Sequence, residues 1–355
     1  MTTWPKEDQI VTEISAAFAR LLGLAQEDVN VQVPRPPTGG PAPDLLVSAA
    51  GRSFAVEVLG SASSGAVAAR ASQMAAAARR QRRKVVPLLV VPFMNDAGRR
   101  VCEGAGISWF DLSGNAHIVA SGIRIIVDGR LNRFRTPGRP ASIFAPKSAR
   151  VVRWLLENEA RALTQREIAR ATNMTEGFVS RIVSRLEHER YVVREPSGAL
   201  RVQNPAVLLE AWREEYRFDK HVVVQGHVAA RSGDALARFV GDTLAEGSVE
   251  HAATGLAAAW QMTHFAAFRI ATFFLAEPLS SQLRAKLTFR EDARGANLWL
   301  VLPSDAGVFH GAEERDGLRC AHPVQVYLDL KAHPERATEA AERLRSELLN
   351  WRRDG

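Results

Sequence analysis

The sequence predicts an α+β protein of several domains, and three observations carry that prediction. The stretch from Arg135 to Pro146 holds Pro137, Gly138, Pro140 and Pro146, which cannot continue a helix and read as a linker. After it, residues 147–204 pass from apolar spacing of helical period to two short runs that alternate at period two, giving helices followed by a strand pair. On both sides of that segment, apolar strand-like runs are interleaved with helical ones, the pattern of mixed sheets covered by helices. A softer break lies at Tyr216 to Lys220, where a charged helix ends and Val222-Val223-Val224 begins a strand. The expected domains are therefore 1–142, 143–218 and 219–355.

Composition bounds the function. The chain has 355 residues, 46% of them apolar, enough for two or three cores. Its net charge of +7 and isoelectric point near 9.9 favour anionic partners without naming one. Two cysteines far apart, Cys102 and Cys320, give neither a disulfide framework nor paired zinc ligands, as expected in a reducing cytoplasm. Lys6, Glu7 and Asp8 stand where a signal peptide needs an apolar core. The longest apolar run, Val85 to Phe93, is interrupted by Pro87 and Pro92 and is far too short to span a bilayer. A cytoplasmic, nucleoid-associated protein with no membrane contact is expected. There is no phosphate loop, no dinucleotide-binding glycine pattern and no H-E-x-x-H, so no cofactor and no metal are expected.

In the first domain, residues 7–23 form a helix. Strands follow at 44–47 and 53–58, then an alanine-rich helix from Gly65 to Arg80, a buried strand 85–91 and a helix 95–104. Strands at 107–111, 117–119 and 123–127 complete a mixed sheet. The pair Pro43-Asp44, followed on the next strand by Glu57-Val58-Leu59, resembles the P-D…(D/E)-x-K motif of the restriction-endonuclease-like fold. The resemblance implies two carboxylates holding a divalent cation, with a lysine activating water. The lysine's place is taken by Leu59, which can neither donate a proton nor stabilise charge. No catalytic residue is therefore expected. Glu13, Asp44, Glu57 and Gln73 are relic candidates, Glu13 standing for the family's additional acid and Gln73 for its polar helix residue. Arg79, Arg80, Arg82, Arg83 and Lys84 place five positive charges in six residues at the helix end. Cations suit a helix C-terminus, but this many also make an auxiliary phosphate-contact patch.

In the middle domain, Ser148 is read as the cap of a helix running to about Asn158. Val151, Val152, Leu155 and Leu156 give it a buried face. Thr164-Gln165-Arg166-Glu167 is a capping box, in which hydroxyl and carboxylate satisfy the free amides of the next helix. Thr172-Asn173-Met174 is the turn, and Thr175 caps the third helix. Phe178, Val179, Ile182, Val183 and Leu186 form one stripe of that helix; Gly177, Ser180, Arg181, Ser184, Arg185 and His188 form the other. A helix of this kind fits the major groove. Arg181 can meet guanine edges or phosphates, and Gly177 allows close backbone approach to a phosphate. Residues 191–194 and 200–202 then alternate as two strands around Pro196-Ser197-Gly198, with Arg194 and Arg201 placed for backbone phosphates. The order helix, helix, turn, helix, hairpin resembles the winged helix-turn-helix of MarR-like regulators. The resemblance implies double-stranded DNA as partner, bound through Thr175, Gly177, Ser180, Arg181, Ser184, Arg185, Arg194 and Arg201.

In the last domain, strands are expected at 222–224, 268–275, 298–302 and 324–330, and helices at 234–243, 252–261 and 335–351. The last helix packs through Ala337, Ala340, Ala341, Leu344, Leu348 and Leu349. His251, His264, His310 and His322 lack ligand spacing. The segments Gly106 to Ala116, Thr254-Gly255-Leu256-Ala257-Ala258 and Gln325 to Leu330 with Glu335 to Leu344 resemble AbiEi-type transcriptional regulators, the antitoxins of type IV toxin–antitoxin systems. That resemblance implies a regulator that represses its own operon and opposes a nucleotidyltransferase-type toxin. Simple members of the family begin with the winged helix, whereas here about 145 residues precede it. A homodimer reading two half-sites is expected of winged-helix regulators. The alternative is a metal-dependent nuclease targeted by the winged helix, against which Leu59 argues.

Overall fold

The computed structural model describes residues 7–34, 42–80, 85–134 and 142–351. It divides the chain into two compact units, Met1–Ala141 with Arg185–Val193, and Ser142–Ser184 with Arg194–Gly355.

The first unit opens with α1 (Glu7–Leu22), β1 (Asn30–Gln32), β2 (Leu45–Ala49) and β3 (Arg52–Val58). It continues through α2 (Ser64–Arg80), β4 (Val86–Val91), α3 (Asp96–Gly104), β5 (Ser108–Asp111), β6 (Ala116–Ala120) and β7 (Ile123–Val127). These seven strands form one sheet in sequence order. The pairs β3–β4 and β4–β5 are parallel and the others antiparallel. The parallel joints are where helices intervene, because a parallel return needs a crossover. The sheet separates two cores. Phe18 of α1 lies on Phe54 and Phe110 on one side. Val67, Ala71 and Met74 of α2 pack with Leu89, Cys102 and Trp109 on the other.

The Gly-Asn turn after β5 is held from inside. Buried Asp111 accepts the Met94 amide at 3.0 Å, the Asn115 amide at 2.9 Å and the Asn115 side-chain amide at 2.8 Å. Asn115 in turn accepts the Arg130 amide at 2.8 Å. The W-F-D-L-S-G-N segment is thus a clasp between three loops, which satisfies polar groups that would otherwise be buried alone.

The next elements are α4 (Pro146–Glu157), α5 (Gln165–Thr172), α6 (Glu176–His188), the wing strands β8 (Val192–Arg194) and β9 (Leu200–Val202), and α7 (Pro205–Glu215); they belong to the second unit except for the end of α6 and the start of β8, which fall in Arg185–Val193 of the first. There follow β10 (Val222–His227), α8 (Gly233–Glu246), β11 (His251–Thr254), α9 (Gly255–Thr263), β12 (Ala271–Leu275), α10 (Ser281–Lys286), β13 (Arg290–Glu291) and β14 (Leu298–Leu302). The end is β15 (Glu313–Arg315), β16 (Leu318–Cys320), α11 (Pro323–Asp329) and α12 (Ala337–Leu348). The second seven-stranded sheet runs β13-β10-β14-β12-β11-β16-β15.

Several expectations are corrected here. The expected strand 324–330 is instead helical, residues 324–329 lying in α11. Pro323 sits in its first turn and His322 caps it by accepting the Val324 amide, a start that proline's fixed φ favours. All seven residues are buried, so no amphipathic stripe betrays the helix. Residues 252–254 belong to β11, and the helix starts only at Gly255, whose φ of +58° turns the chain. A β-carbon at Gly255 would stand 2.6 Å from the His333 ring. The strand expected from Phe268 is confined to Ala271–Leu275. Ala145, and not Ser148, occupies the N-cap of α4, with Pro146 in the first turn and Ser148 buried. Leu348 is 38% exposed and does not join the packed side of α12.

Candidate nucleic-acid interface

Helix α6 is built as its spacing requires. The Thr175 hydroxyl accepts the Phe178 amide at 3.3 Å, capping the helix start. The preceding α5 carries the complete capping box of Thr164 and Glu167 and ends at Asn173 in the left-handed region, the conformation that redirects the chain between two helices. Val179, Ile182, Val183 and Leu186 are buried and Phe178 is half-buried. On the opposite stripe Gly177, Arg181, Ser184 and His188 are exposed, and Ser180 is half-buried. A β-carbon at Gly177 would meet nothing within 4 Å, so the backbone there is open to close approach.

The arginines differ. Arg181 is exposed and lies over the Phe178 ring at 5.7 Å. Arg185 is half-buried and paired to Glu189 at 2.8 Å, so its charge is partly committed along the helix. In the wing, Arg194 donates to the Gly198 carbonyl at 3.1 Å. Arg201 pairs with Glu195 at 2.7 Å and donates to the Ala160 carbonyl at 3.0 Å. Both wing arginines remain exposed. Lys147 was missed from the sequence. Its ammonium lies 5.5 Å from the same Phe178 ring that Arg181 covers. One aromatic ring thus gathers two cations, from α4 and α6, at the start of the exposed stripe. Only the packing of α4 on α6 brings them together; the two positions are 34 residues apart in sequence.

In the first unit, α2 and the strands β3 and β4 enclose a cavity of about 450 Å³ that includes Glu57, Arg70, Gln73 and Arg80. The Asp44 carboxylate accepts the Val58 amide at 2.8 Å, and Glu57 pairs with Arg70 at 2.8 Å. Burial raises the Glu57 carboxyl to about 7; Arg70 pulls it down, and Asp44 pushes it up through charge and a hydrogen bond. These residues do not fit the divalent cation that the resemblance to the P-D…(D/E)-x-K motif implies. A guanidinium already neutralises Glu57, Leu59 stands in the lysine's place, and no group of three metal-ligating side chains exists among the described residues. Glu13 is exposed on α1 and does not line the cavity. Arg79 and Arg80 are exposed in the last turn of α2. Arg82, Arg83 and Lys84 lie outside the described residues.

A buried polar network ties α4 and Tyr216, which caps the end of α7, to α11. Arg153 donates to the Gln325 side-chain oxygen at 2.5 Å. Gln325 and Tyr216 both donate to one oxygen of Asp329, at 2.8 and 2.5 Å, and Thr254 donates to the other at 2.5 Å. The Ser304 amide donates to His221 Nδ1 at 3.0 Å, leaving Nε2–H to reach the Tyr216 hydroxyl at 2.9 Å. Burial holds His221 near 4, hence neutral, and raises Asp329 to about 7 against its three hydrogen bonds and Arg153. The signal that could have found the network is the four-residue spacing of Gln325 and Asp329, which stacks them on one face of a helix.

Among the described residues, no helix is long and apolar enough to cross a membrane. Residues 145–199 match the MarR family model, and residues 201–350 match that of the transcriptional regulator, AbiEi antitoxin, type IV TA system. No curated protein and no solved structure matches the chain.

Proposed function

We propose how this chain, a DNA-binding transcriptional regulator carrying a MarR-type winged helix and an AbiEi antitoxin-type domain, engages its operator: α6 enters the major groove of duplex DNA with Arg181 leading. The observation that carries this reading is the exposed stripe Gly177, Arg181, Ser184 on a capped helix whose other side is buried. Arg181 reads base edges, a bidentate contact of about 1–3 kcal/mol. Thr175, Gly177, Ser180, Ser184 and Lys147 hold the phosphates around the helix start, and Arg194 and Arg201 hold those beside the wing. Arg185, paired to Glu189, orients α6 and contributes less. Arg79 and Arg80, with Arg82, Arg83 and Lys84, add a sequence-independent phosphate contact. A homodimer places two such helices on half-sites.

Genome-wide mapping of bound DNA tests the reading. Wild-type protein gives discrete sites, including one upstream of its own gene if it is an autorepressor. Arg181→Ala loses the discrete sites and keeps diffuse binding. Unchanged sites in the variant would refute the assignment of α6.

The match over residues 201–350 supports an antitoxin role, with a nucleotidyltransferase-type toxin as partner. Co-expression with a nucleotidyltransferase-type toxin tests it: this protein restores growth when the toxin is induced, and growth that stays arrested would refute the role. In the nuclease-like unit the Glu57–Arg70 pair supports a site without metal chemistry. Plasmid cleavage in magnesium or manganese that Glu57→Ala abolishes would overturn that view.

A further inference from the structure

The two seven-stranded sheets end in four edge strands, and one of these differs from the rest. β1 (Asn-Val-Gln), β13 (Arg-Glu) and β15 (Glu-Glu-Arg) are two or three residues long and mostly polar or charged. Short, charged edges keep an unpaired strand backbone from meeting other chains. β7 has five residues, Ile123-Arg124-Ile125-Ile126-Val127, and four of them are aliphatic. Among the described residues no strand pairs with its outer side.

The backbone of β7 is aimed at that open side. Arg124 lies directly opposite Val119 of β6. Val119 gives its amide to the Ser108 hydroxyl of β5 at 3.1 Å, and its carbonyl accepts from the same hydroxyl at 3.3 Å. Both groups therefore point away from β7. Bonded and non-bonded positions alternate along an antiparallel pair, so Arg124 and Ile126 turn their own amides and carbonyls outward. Their side chains share one face of the sheet, as residues two apart on a strand do. Ile123, Ile125 and Val127 pack on the other face, against the core that holds Ile14 and Phe18 of α1. On the open face Ile126 is 51% and Val119 50% exposed. Asp128 continues that face. It accepts from Arg99 at 2.7 Å, and its side chain is still 61% exposed.

We propose that two copies of this chain pair through β7, edge to edge and antiparallel about a two-fold axis, so that the first sheet of one copy continues into that of the other. The occupant is a second copy because Arg124, Ile126 and Asp128 are complementary to themselves when the strand is reversed, as an isologous contact requires. Charge sets the register. With the axis between the two Ile126 residues, Arg124 of each copy stands opposite Asp128 of the other, and opposite charges in that position stabilise a strand pair. The outward amide and carbonyl of each Ile126 then meet those of the other. An axis at Ile125 would set Arg124 against Ile126 and leave the charges unmatched. An axis at Arg124 would set two guanidinium groups against each other. The proposal names the surface of the homodimer inferred above and rests on that reading for the dimer's existence; it does not depend on how α6 reads DNA.

Sedimentation equilibrium of the full chain without DNA tests this, over about 1 to 100 μM, a range suited to an interface at the small end of the size scale. Wild type is expected to be a dimer at the upper end. Ile126→Asp sets two carboxylates against each other on the axis and should weaken the dimer roughly hundred-fold or more. Arg124→Asp should weaken it roughly ten-fold, by placing like charges opposite each other. Combining Arg124→Asp with Asp128→Arg restores the opposite charges and should return the dimer to within about three-fold of wild type. Far-UV circular dichroism checks that each variant is folded; if Ile126→Asp is not, the charge exchange decides alone. A wild type that stays monomeric throughout overturns both this proposal and the homodimer reading. A wild-type dimer that Ile126→Asp or Arg124→Asp leaves unchanged overturns this proposal alone, because the copies would then meet elsewhere. A dimer that Arg124→Asp weakens and the charge exchange does not restore also overturns it, because Arg124 would not face Asp128.

Discussion

The two seven-stranded sheets of this protein differ in how the chain visits them. In the first, spatial order equals sequence order, and each strand pairs with the one before it. In the second, β10 lies between β13 and β14, and β11 between β12 and β16. The first can be assembled from neighbours joined by short turns or one helix; the second needs partners brought from far along the chain, at a larger loop-closure cost. Sequence order therefore carries most of the first sheet's architecture and little of the second's. The second sheet, in turn, packs beside a buried polar network whose members come from α4, the C-cap of α7, β11 and α11.

The largest effects test whether both sheets are cores in the same sense. Phe110 of β5 and Phe273 of β12 are both fully buried. Truncating either to alanine should cost about 3–5 kcal/mol, read from urea unfolding. A cost below about 1 kcal/mol in one of them would show that its sheet is not a packed core.

A second prediction separates the sheets by pH. Asp329 beside the second sheet is raised from 3.8 to about 7 by burial. Between those values the folded protein keeps a proton that the unfolded chain has released, so this group's contribution to stability falls as pH rises through 7. Asp329→Asn lacks that proton. The melting-temperature advantage of wild type over Asp329→Asn should therefore be greater at pH 5 than at pH 8. An advantage that is flat or grows with pH would mean that the three hydrogen bonds on Asp329 outweigh its burial.

The smallest effect on stability is expected in the first unit. Arg70 is 37% exposed on its side chain, so Arg70→Met should change stability by less than about 1 kcal/mol, as for surface ion pairs. The same substitution should move the Glu57 titration upward, because Arg70 is what pulls it down. Carboxyl NMR of the variant checks this, and an unmoved titration would show that the pair does not persist in solution.

The legible parts were those set by local rules. Thr164 and Thr175 announced two helix starts, and Asn173 the turn between them. The opposed stripes of α6 announced which face is buried. In the first unit, the strands β2 to β7 were within a residue or two of their places, while three-residue β1 escaped notice. What failed was set by tertiary context. The alternation Val324, Val326, Leu328 looks like a strand, yet it lies on a helix so fully buried that its polar members, Gln325 and Asp329, face each other. β15 and β16 are three residues each, too short to leave a pattern. Lys147 was invisible because its neighbour Phe178 is reached only through the packing of α4 on α6.

The account rests on the exposed stripe of α6, and fluorescence anisotropy on a bound operator fragment and a scrambled duplex tests it most directly. Wild type and Arg181→Ala are each titrated at two salt concentrations. The predicted result is a loss of about 1–3 kcal/mol on the operator with a much smaller loss on the scrambled duplex, and a steep salt dependence on both, as phosphate contacts require. Equal affinity of the two proteins for the operator would contradict the account.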